Sequence, residues 1–319
     1  MTNYSTKTET RFSTPLCSNR EVQQPLTIKF GKNITVMNAF EDTLLTSDQH
    51  GNIKCYNLNS GQVERTFSSN NKNPLCFYSG IAKSSDRTLG LEAFNANLEI
   101  LKLATIISSI KNQKPINLIT HDNQYLILGY ADGSLTINDC CFGLSHKILQ
   151  EKHEAAITAL LQTSDSDYEF ISGSKDGTIK KWKIEQQEFS ETITQELEDI
   201  NSIIMIKSAL YAATNNDSIK LCTSKPPLLL HKENTSKITA LAAFDMLLIV
   251  GLNNGNLTIF DTNLGFSRPI IFETNINSPV KSLLVHKNKL ITHYKKAALV
   301  ITKKLLAHCL QENQDTRAT

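Results

Sequence analysis

The sequence predicts an all-β protein built from repeated antiparallel sheets. Two observations lead to this prediction: a strand-turn-strand pattern that recurs along the chain, and a nearly constant spacing between its turns. The clearest copy, FISGSKDGTIKKWKI, occupies residues 170–184. Its Asp-Gly dipeptide is typical of two-residue hairpin turns, which need a positive φ. Residues alternate in character after the turn, so Ile179 and Trp182 are expected on opposite faces of a β-strand.

Further copies of the pattern fill most of the chain. They begin near residues 44, 126 and 248, with a weaker copy near 210 and two faint copies near 88 and 290. Their aligned turns fall at Gly51, Ala96, Gly133, Gly177, Asp217, Gly255 and Ala297. Another apolar strand precedes each pair and a more polar strand follows it. Seven such repeats, spaced by roughly 40 residues, predict a seven-bladed β-propeller of four-stranded antiparallel blades.

The chain is expected to divide into three parts. Residues 1–24 are predicted to be a flexible polar N-terminal arm, residues 25–303 the propeller, and residues 304–319 a C-terminal tail. The short apolar segment at 25–30, PLTIKF, is expected to supply the outer strand of the last blade and so to close the ring. The alternative is that residues 305–311 form that strand. Blades that pack only on their neighbours need no single large core, so 319 residues need not form two domains.

Charge and cysteine usage narrow the class of protein. There are 33 Lys and Arg against 31 Asp and Glu, a net charge of +2, so no specific nucleic-acid partner is expected. The seven cysteines are an odd number without C-x-x-C spacing, which favours reduced thiols. The N-terminal residues lack the apolar run of a signal peptide, and no stretch is long and apolar enough to insert in a membrane. These features predict an intracellular protein of the cytoplasm or nucleus.

A search for catalytic and metal-binding patterns favours structural interpretations. No zinc-protease helix motif, nucleophile elbow or phosphate-binding glycine loop occurs. His286 and His293 could form half a metal site, but no third ligand lies near them in the sequence. Asp165 and Asp167 are expected in a solvated loop. We therefore predict no enzyme activity, no cofactor and no metal.

The repeat at residues 153–182 carries a more specific signature. It places His153 before the first strand, Ser172 in the second, Asp176 in the turn and Trp182 in the third. On these residues the chain resembles the WD-repeat β-propeller family over roughly residues 25–303. The resemblance implies that the four side chains form a hydrogen-bonded network inside the blade. The other repeats depart from the pattern: no blade ends in a Trp-Asp pair, and the tryptophan position holds Tyr56, Asn138, Cys222 or Phe260.

The resemblance also implies a function. WD-repeat proteins bind proteins or peptides, commonly on the face that carries the turn between the second and third strands. The residues expected on that face are Gln49, Ala131, Lys175, Asn215 and Asn253. The chain is thus expected to be a non-catalytic scaffold or adaptor and a subunit of a hetero-complex. Two alternatives stay open: an injected bacterial effector that mimics a host adaptor in the host cytoplasm, and a propeller enzyme with an unrecognised channel site.

Overall fold

The structure is a computed structural model. It describes residues 10–13, 24–48, 52–67, 116–121, 125–139, 146–163, 169–184, 188–195, 197–233, 236–264, 266 and 269–315. In this part of the chain the fold is all-β, as predicted, with strands arranged in six separate sheets and one helix.

Each sheet takes its strands from one stretch of the chain, with two additions from the N-terminal region. Sheet I contains β3 (Ile34–Phe40), β4 (Thr43–Asp48), β5 (Ile53–Asn57) and β6 (Val63–Phe67). Sheet II contains β7 (Ile116–His121), β8 (Tyr125–Tyr130), β9 (Leu135–Asp139) and β10 (His146–Ile148). Sheet III contains β11 (Ile157–Gln162), β12 (Glu169–Ser174), β13 (Ile179–Lys183) and β14 (Glu188–Thr194).

The second half of the chain repeats this arrangement. Sheet IV contains β15 (Ile200–Ile206), β16 (Ala209–Thr214), β17 (Ser218–Leu221) and β18 (Leu228–Lys232). Sheet V contains β19 (Ile238–Phe244), β20 (Leu247–Leu252), β21 (Leu257–Asp261), β22 (Ile270–Glu273) and, at its edge, β1 (Thr10–Ser13). Sheet VI contains β23 (Ser282–His286), β24 (Lys289–His293), β25 (Ala297–Thr302) and β2 (Leu26–Lys29).

The N-terminal segment at 25–30 takes the place expected for it. Strand β2 pairs antiparallel with β25, so sheet VI is completed by a strand from the far end of the sequence. Residues 305–311, the alternative source of that strand, lie in the helix α1 (Lys303–Asp315). Leu305, Leu306 and Cys309 of this helix are buried in the core cluster shared by sheets V and VI.

Two parts of the predicted domain division need correction. The arm at 1–24 was expected to be flexible, yet Thr10–Ser13 pairs in parallel with β22 as a fifth strand of sheet V. An outer strand leaves one row of backbone groups unpaired, and these groups can accept a further strand of any sequence. The tail was expected to start at residue 304, outside the propeller, but a helix begins at Lys303 and buries Leu305, Leu306 and Cys309 along one apolar side.

Within the described residues the core forms five clusters, four of them between consecutive sheets from II to VI and one between sheets I and VI. In sheet III, Trp182 packs toward sheet II with Ile137, whereas Ile179 packs toward sheet IV with Ile203. The alternation expected along β13 is therefore present, with both faces buried. The first strands of the sheets contact one another in the order β7, β11, β15, β19, β23 and β3. The seventh repeat, expected at 88–103, lies outside the described residues.

A small residue in the second strand lets neighbouring sheets approach closely. A Cβ atom added to Gly251 in β20 would lie 2.5 Å from Cγ1 of Val280, which leads into sheet VI. Gly129 and Gly173 occupy the same place and face Ile157 and Ile200 of the next sheets. The packing between sheets thus depends on a position that the turn pattern did not identify.

Candidate functional site

The turns between second and third strands gather at one end of the sheets, which we call the turn face. Their backbone N–H groups donate to the segments that lead into the first strands of the same sheets. The bonds run from Lys175 to the Ala156 carbonyl at 3.0 Å, from Asn215 to Asp199 at 2.8 Å and from Asn253 to Lys237 at 2.9 Å. Each turn is therefore fixed to the beginning of its own sheet.

Four of the five residues expected on this face lie there in equivalent turns. The side chains of Ala131, Lys175, Asn215 and Asn253 are exposed to solvent, one from each of sheets II to V. Gln49, the fifth, lies outside the described residues. The four are brought to one face by the repeated fold and not by contact with each other.

The turn glycines also fix each sheet to the next. Gly177 has a φ of 80°, and an added Cβ would lie 2.0 Å from the carbonyl oxygen of Leu197, in the segment entering sheet IV. Gly133 and Gly255 have the same conformation and meet the carbonyls of His153 and Ile276. Only a residue without a side chain fits there, so the turn face has a rigid frame.

Sheet III contains the four residues of the expected network, joined in one chain of hydrogen bonds. Trp182 Nε1 donates to Ser172 Oγ at 2.7 Å, and Ser172 Oγ lies 2.6 Å from His153 Nε2. On the other side of the ring, Nδ1 lies 2.7 Å from Thr178 Oγ1, whose hydroxyl donates to Asp176 Oδ1 at 2.6 Å. The sequence did not single out Thr178, which links the histidine to the aspartate.

The direction of donation follows from these contacts. The Thr178 hydroxyl already donates to Asp176, so Thr178 Oγ1 must accept a proton from His153 Nδ1–H. His153 Nε2 is then an acceptor for the Ser172 hydroxyl. Burial is the largest cause that lowers the pKa of His153 to about 4, with Lys180 also lowering it and Asp176 opposing the shift. The imidazole is accordingly neutral near pH 7 and has both nitrogens satisfied.

Asp176 lies in the turn and closes the network as a carboxylate. Burial opposes its ionisation, but hydrogen bonds from Thr178 and from the Glu154 backbone outweigh burial and lower its pKa. Its Oδ2 accepts from the Glu154 N–H at 2.7 Å and lies 3.3 Å from His153 Nδ1. The network thus connects the turn face to the interior of sheet III.

The remaining chemical candidates have structural partners or lie outside the described residues. His286 Nε2 lies 2.8 Å from the Glu41 carbonyl, and His293 Nδ1 lies 3.2 Å from Ser282 Oγ. Asp165 and Asp167 lie outside the described residues. In the ranges that the structure describes, no group of three His, Cys, Asp or Glu side chains is placed to hold a metal ion. No helix in those ranges is long and apolar enough to cross a membrane.

A cavity of about 280 Å³ is shared by five of the six sheets. It is lined by side chains of their first strands: Met37, Thr158, Asn201, Ser202, Thr239, Ala240, Leu241, Ser282, Leu283, Leu284 and, just before β23, Lys281. This cavity was not predicted from the sequence. A signal was available, because the first strands begin with Ile or Val followed by a polar residue, as in Ile157-Thr158 and Ile238-Thr239.

An irregularity of the strands explains why these polar residues meet. In sheets I to V the pairing of first and second strands shifts after the first residue, as between Ile157 and Ala159. The extra residue forms a β-bulge, which turns a side chain away from the regular pleat. Thr158, Asn201 and Thr239 are extra residues of this kind, and Lys281 holds the corresponding place in sheet VI.

Comparisons with known proteins found similar solved structures and no family. No protein-family model and no curated protein matches the chain. Among solved structures, the crystal structure of the computationally designed Ika8 protein is similar, with a TM-score of 0.49 and 17% sequence identity. That match covers 84% of this chain and 70% of the designed one.

Proposed function

We propose that the chain is a seven-bladed β-propeller of the WD-repeat type, with residues 88–103 contributing the seventh blade. Support comes from the first strands, which contact one another in chain order from β7 to β23 while β23 also contacts β3, and from the cavity that five of the six sheets share. The pairing of β2 with β25 also supports a ring, since it joins the N-terminal segment to the last sheet. In sheet III the hydrogen-bonded network supports the family resemblance.

The proposed activity is that of a non-catalytic scaffold or adaptor, which binds protein or peptide partners on the turn face. One observation carries this proposal: equivalent turns present exposed side chains on a face whose backbone is fixed by hydrogen bonds within and between sheets. A rigid frame with variable exposed residues is the usual arrangement of binding loops. We further propose that the chain acts within a hetero-complex in the cytoplasm or nucleus, where its buried free thiols Cys55, Cys222 and Cys309 stay reduced.

The test is affinity capture from the native host followed by mass spectrometry, with two double variants. Replacing Lys175 and Asn253 with alanine should reduce capture of the specific partner at least about tenfold, because interface energy is concentrated in few residues. The control is the pair Lys183→Ala and Asn263→Ala, which removes exposed side chains of the same types from the same sheets III and V, away from the turn face. Equal capture by both variants and the wild type would move the site to another surface.

A further inference from the structure

The cavity shared by the first strands has an uneven distribution of charge. Lys281 is the one cation among its lining residues in the described part of the chain, and no carboxylate lines it there. Thr158, Asn201 and Thr239 are the neutral residues at corresponding places in sheets III to V. Sheet VI thus has a charged side chain where sheets III to V have neutral ones, which points to a local role for the charge of Lys281.

The ammonium group of Lys281 has an incomplete set of partners. Its Nζ donates to the Ile34 carbonyl at 3.1 Å, which is a neutral acceptor. Burial, and then the neighbouring Lys295, lower the pKa of Lys281. His293, the other titratable group beside it, has its pKa lowered to about 4 by burial and by Lys281, so it is neutral near pH 7. An ammonium with three donors and no ion-pair partner among the described residues is a favourable point for a negatively charged ligand.

Two other polar side chains of the cavity donate their hydroxyl protons to backbone carbonyls, and a third offers an amide N–H₂. Thr158 Oγ1 donates to the Ile200 carbonyl at 2.6 Å, and Thr239 Oγ1 donates to the Gly251 carbonyl at 3.0 Å. Their protons are therefore used within the fold. Asn201 contributes an amide N–H₂ from sheet IV, across sheet V from Lys281.

Apart from Ser202 and Ser282, the rest of the lining is apolar, which limits the ligand further. Met37, Ala240, Leu241, Leu283 and Leu284 provide hydrocarbon surface along the first strands. A cavity of about 280 Å³ has room for a small group only. One cation and an amide beside hydrocarbon surface fit a carboxylate carried on a short aliphatic stem.

We propose that this cavity binds such a carboxylate, with Lys281 as its ion-pair partner and Asn201 as a hydrogen-bond donor. The ligand can be a free short-chain acid or the acidic side chain of a bound peptide, since both offer the same chemistry. This proposal does not rest on the scaffold function, because it concerns small ligands that are tested without any partner protein.

The experiment uses the methionine methyl groups as reporters. The chain has four methionines, and Met37 lines the cavity, so its ¹³C-labelled methyl signal reports on occupancy. The signal is assigned with Met37→Leu. Pentanoate should shift it along a saturating curve, whereas the neutral isostere pentanamide should not. The affinity for pentanoate should fall at least about tenfold in Lys281→Gln, the size expected for a charge-assisted hydrogen bond.

Matched variants separate charge recognition from a structural role of Lys281. Lys281→Arg keeps the charge and should keep the response, and so should Lys183→Gln, which neutralises an exposed lysine elsewhere. No shift with pentanoate, an equal shift with pentanamide, or an undiminished response in Lys281→Gln would overturn the proposal. If Lys281→Gln loses its dispersed methyl spectrum, the comparison of pentanoate with pentanamide on the wild type decides.

A second pair of probes distinguishes the two sources of the carboxylate. N-acetyl-glutamate amide carries the acid on a peptide-like backbone, and N-acetyl-glutamine amide is its neutral control. A shift of the Met37 signal with the glutamate compound assigns the cavity to acidic side chains of peptides. A response to pentanoate alone assigns it to free acids, and both results support the carboxylate site.

Discussion

Sheets III and V fill the same buried positions with side chains of different polarity. In register, Ser172 of sheet III corresponds to Val250 of sheet V, and Trp182 corresponds to Phe260. All four side chains are buried, but only sheet III uses them in a chain of hydrogen bonds. The two sheets keep the same strand order and the same glycines, Gly173 and Gly251, at the contact with the next sheet.

This difference distinguishes the features that both sheets share from the polar network that only sheet III contains. The turn, the small residue in the second strand and the alternation of the third strand are common to both sheets. The polar network is not, so it is not needed to form a sheet of this type. What it adds is a defined position for the Asp176 turn, because each buried polar group has one partner arrangement that satisfies it.

The largest effect is expected from truncating the aromatic side chains that the two sheets share by position. Trp182→Ala and Phe260→Ala should each lower the free energy of unfolding by about 3–5 kcal/mol, because each leaves a cavity among fully buried neighbours. Chemical denaturation monitored by circular dichroism measures both. Similar losses would mean that burial dominates in both sheets, whereas a loss under about 1 kcal/mol for Trp182→Ala would contradict its place in the core.

A smaller effect is expected when the apolar side chains of sheet V are placed at the corresponding positions of sheet III. Ser172→Val alone should cost about 2–3 kcal/mol, because it leaves Trp182 Nε1 and His153 Nε2 without partners. Adding Trp182→Phe removes one of these orphaned groups. The double variant should therefore be more stable than the sum of the single changes predicts, by about 1 kcal/mol. Strict additivity in this double-mutant cycle would show that the two side chains are not coupled.

The network should also make stability depend on pH in a way that sheet V cannot. The pKa of His153 is about 4 in the folded protein, below its ordinary value of 6.5, so the unfolded chain binds the proton more readily. The contribution is complete above pH 6.5 and is lost as the pH falls toward 4. Between pH 7.5 and 5 the loss should be on the order of 2 kcal/mol.

His293 in sheet VI has the same lowered pKa and should add a similar loss. The check is the free energy of unfolding as a function of pH for the wild type, His153→Asn and His293→Asn. Each variant is expected to have a shallower slope than the wild type between pH 5 and 7. Slopes that coincide with the wild type would mean that these histidines titrate alike in the folded and unfolded chains.

The smallest effect is expected at the solvent-exposed rim of sheet III. Lys180 Nζ lies 3.3 Å from Glu151 Oε1 but also donates to the Lys152 carbonyl at 2.7 Å. Glu151→Gln should change the free energy of unfolding by less than about 0.5 kcal/mol, because the Glu151 side chain is exposed to screening by water and Lys180 keeps its bond to the Lys152 carbonyl. A loss above 1 kcal/mol, abolished by high salt, would assign the pair a larger role than its exposure suggests.

Only part of the candidate site could be predicted from the sequence. The residue types around Trp182 and the positions of the turns were sufficient to place His153, Ser172 and Asp176 in one sheet and Lys175 and Asn253 on one face. Thr178 was missed because small polar residues also follow other turns, as Ser134, Ser218 and Asn256 do, and only the distance to His153 distinguishes this one. Lys281 was missed because it lies just before β23, outside the alternating strand, and only the assembled sheets show that its position lines the cavity.

The sequence by itself determined the all-β class, the repeat length and the hairpin turns. These features depend on backbone preferences and on a period of two, which are properties of short segments. Tertiary structure alone decided that Thr10–Ser13 joins sheet V, that residues 303–315 form a helix, and that five first strands share one cavity. Each of these depends on surfaces from sheets distant in sequence, and no local pattern encodes such contacts.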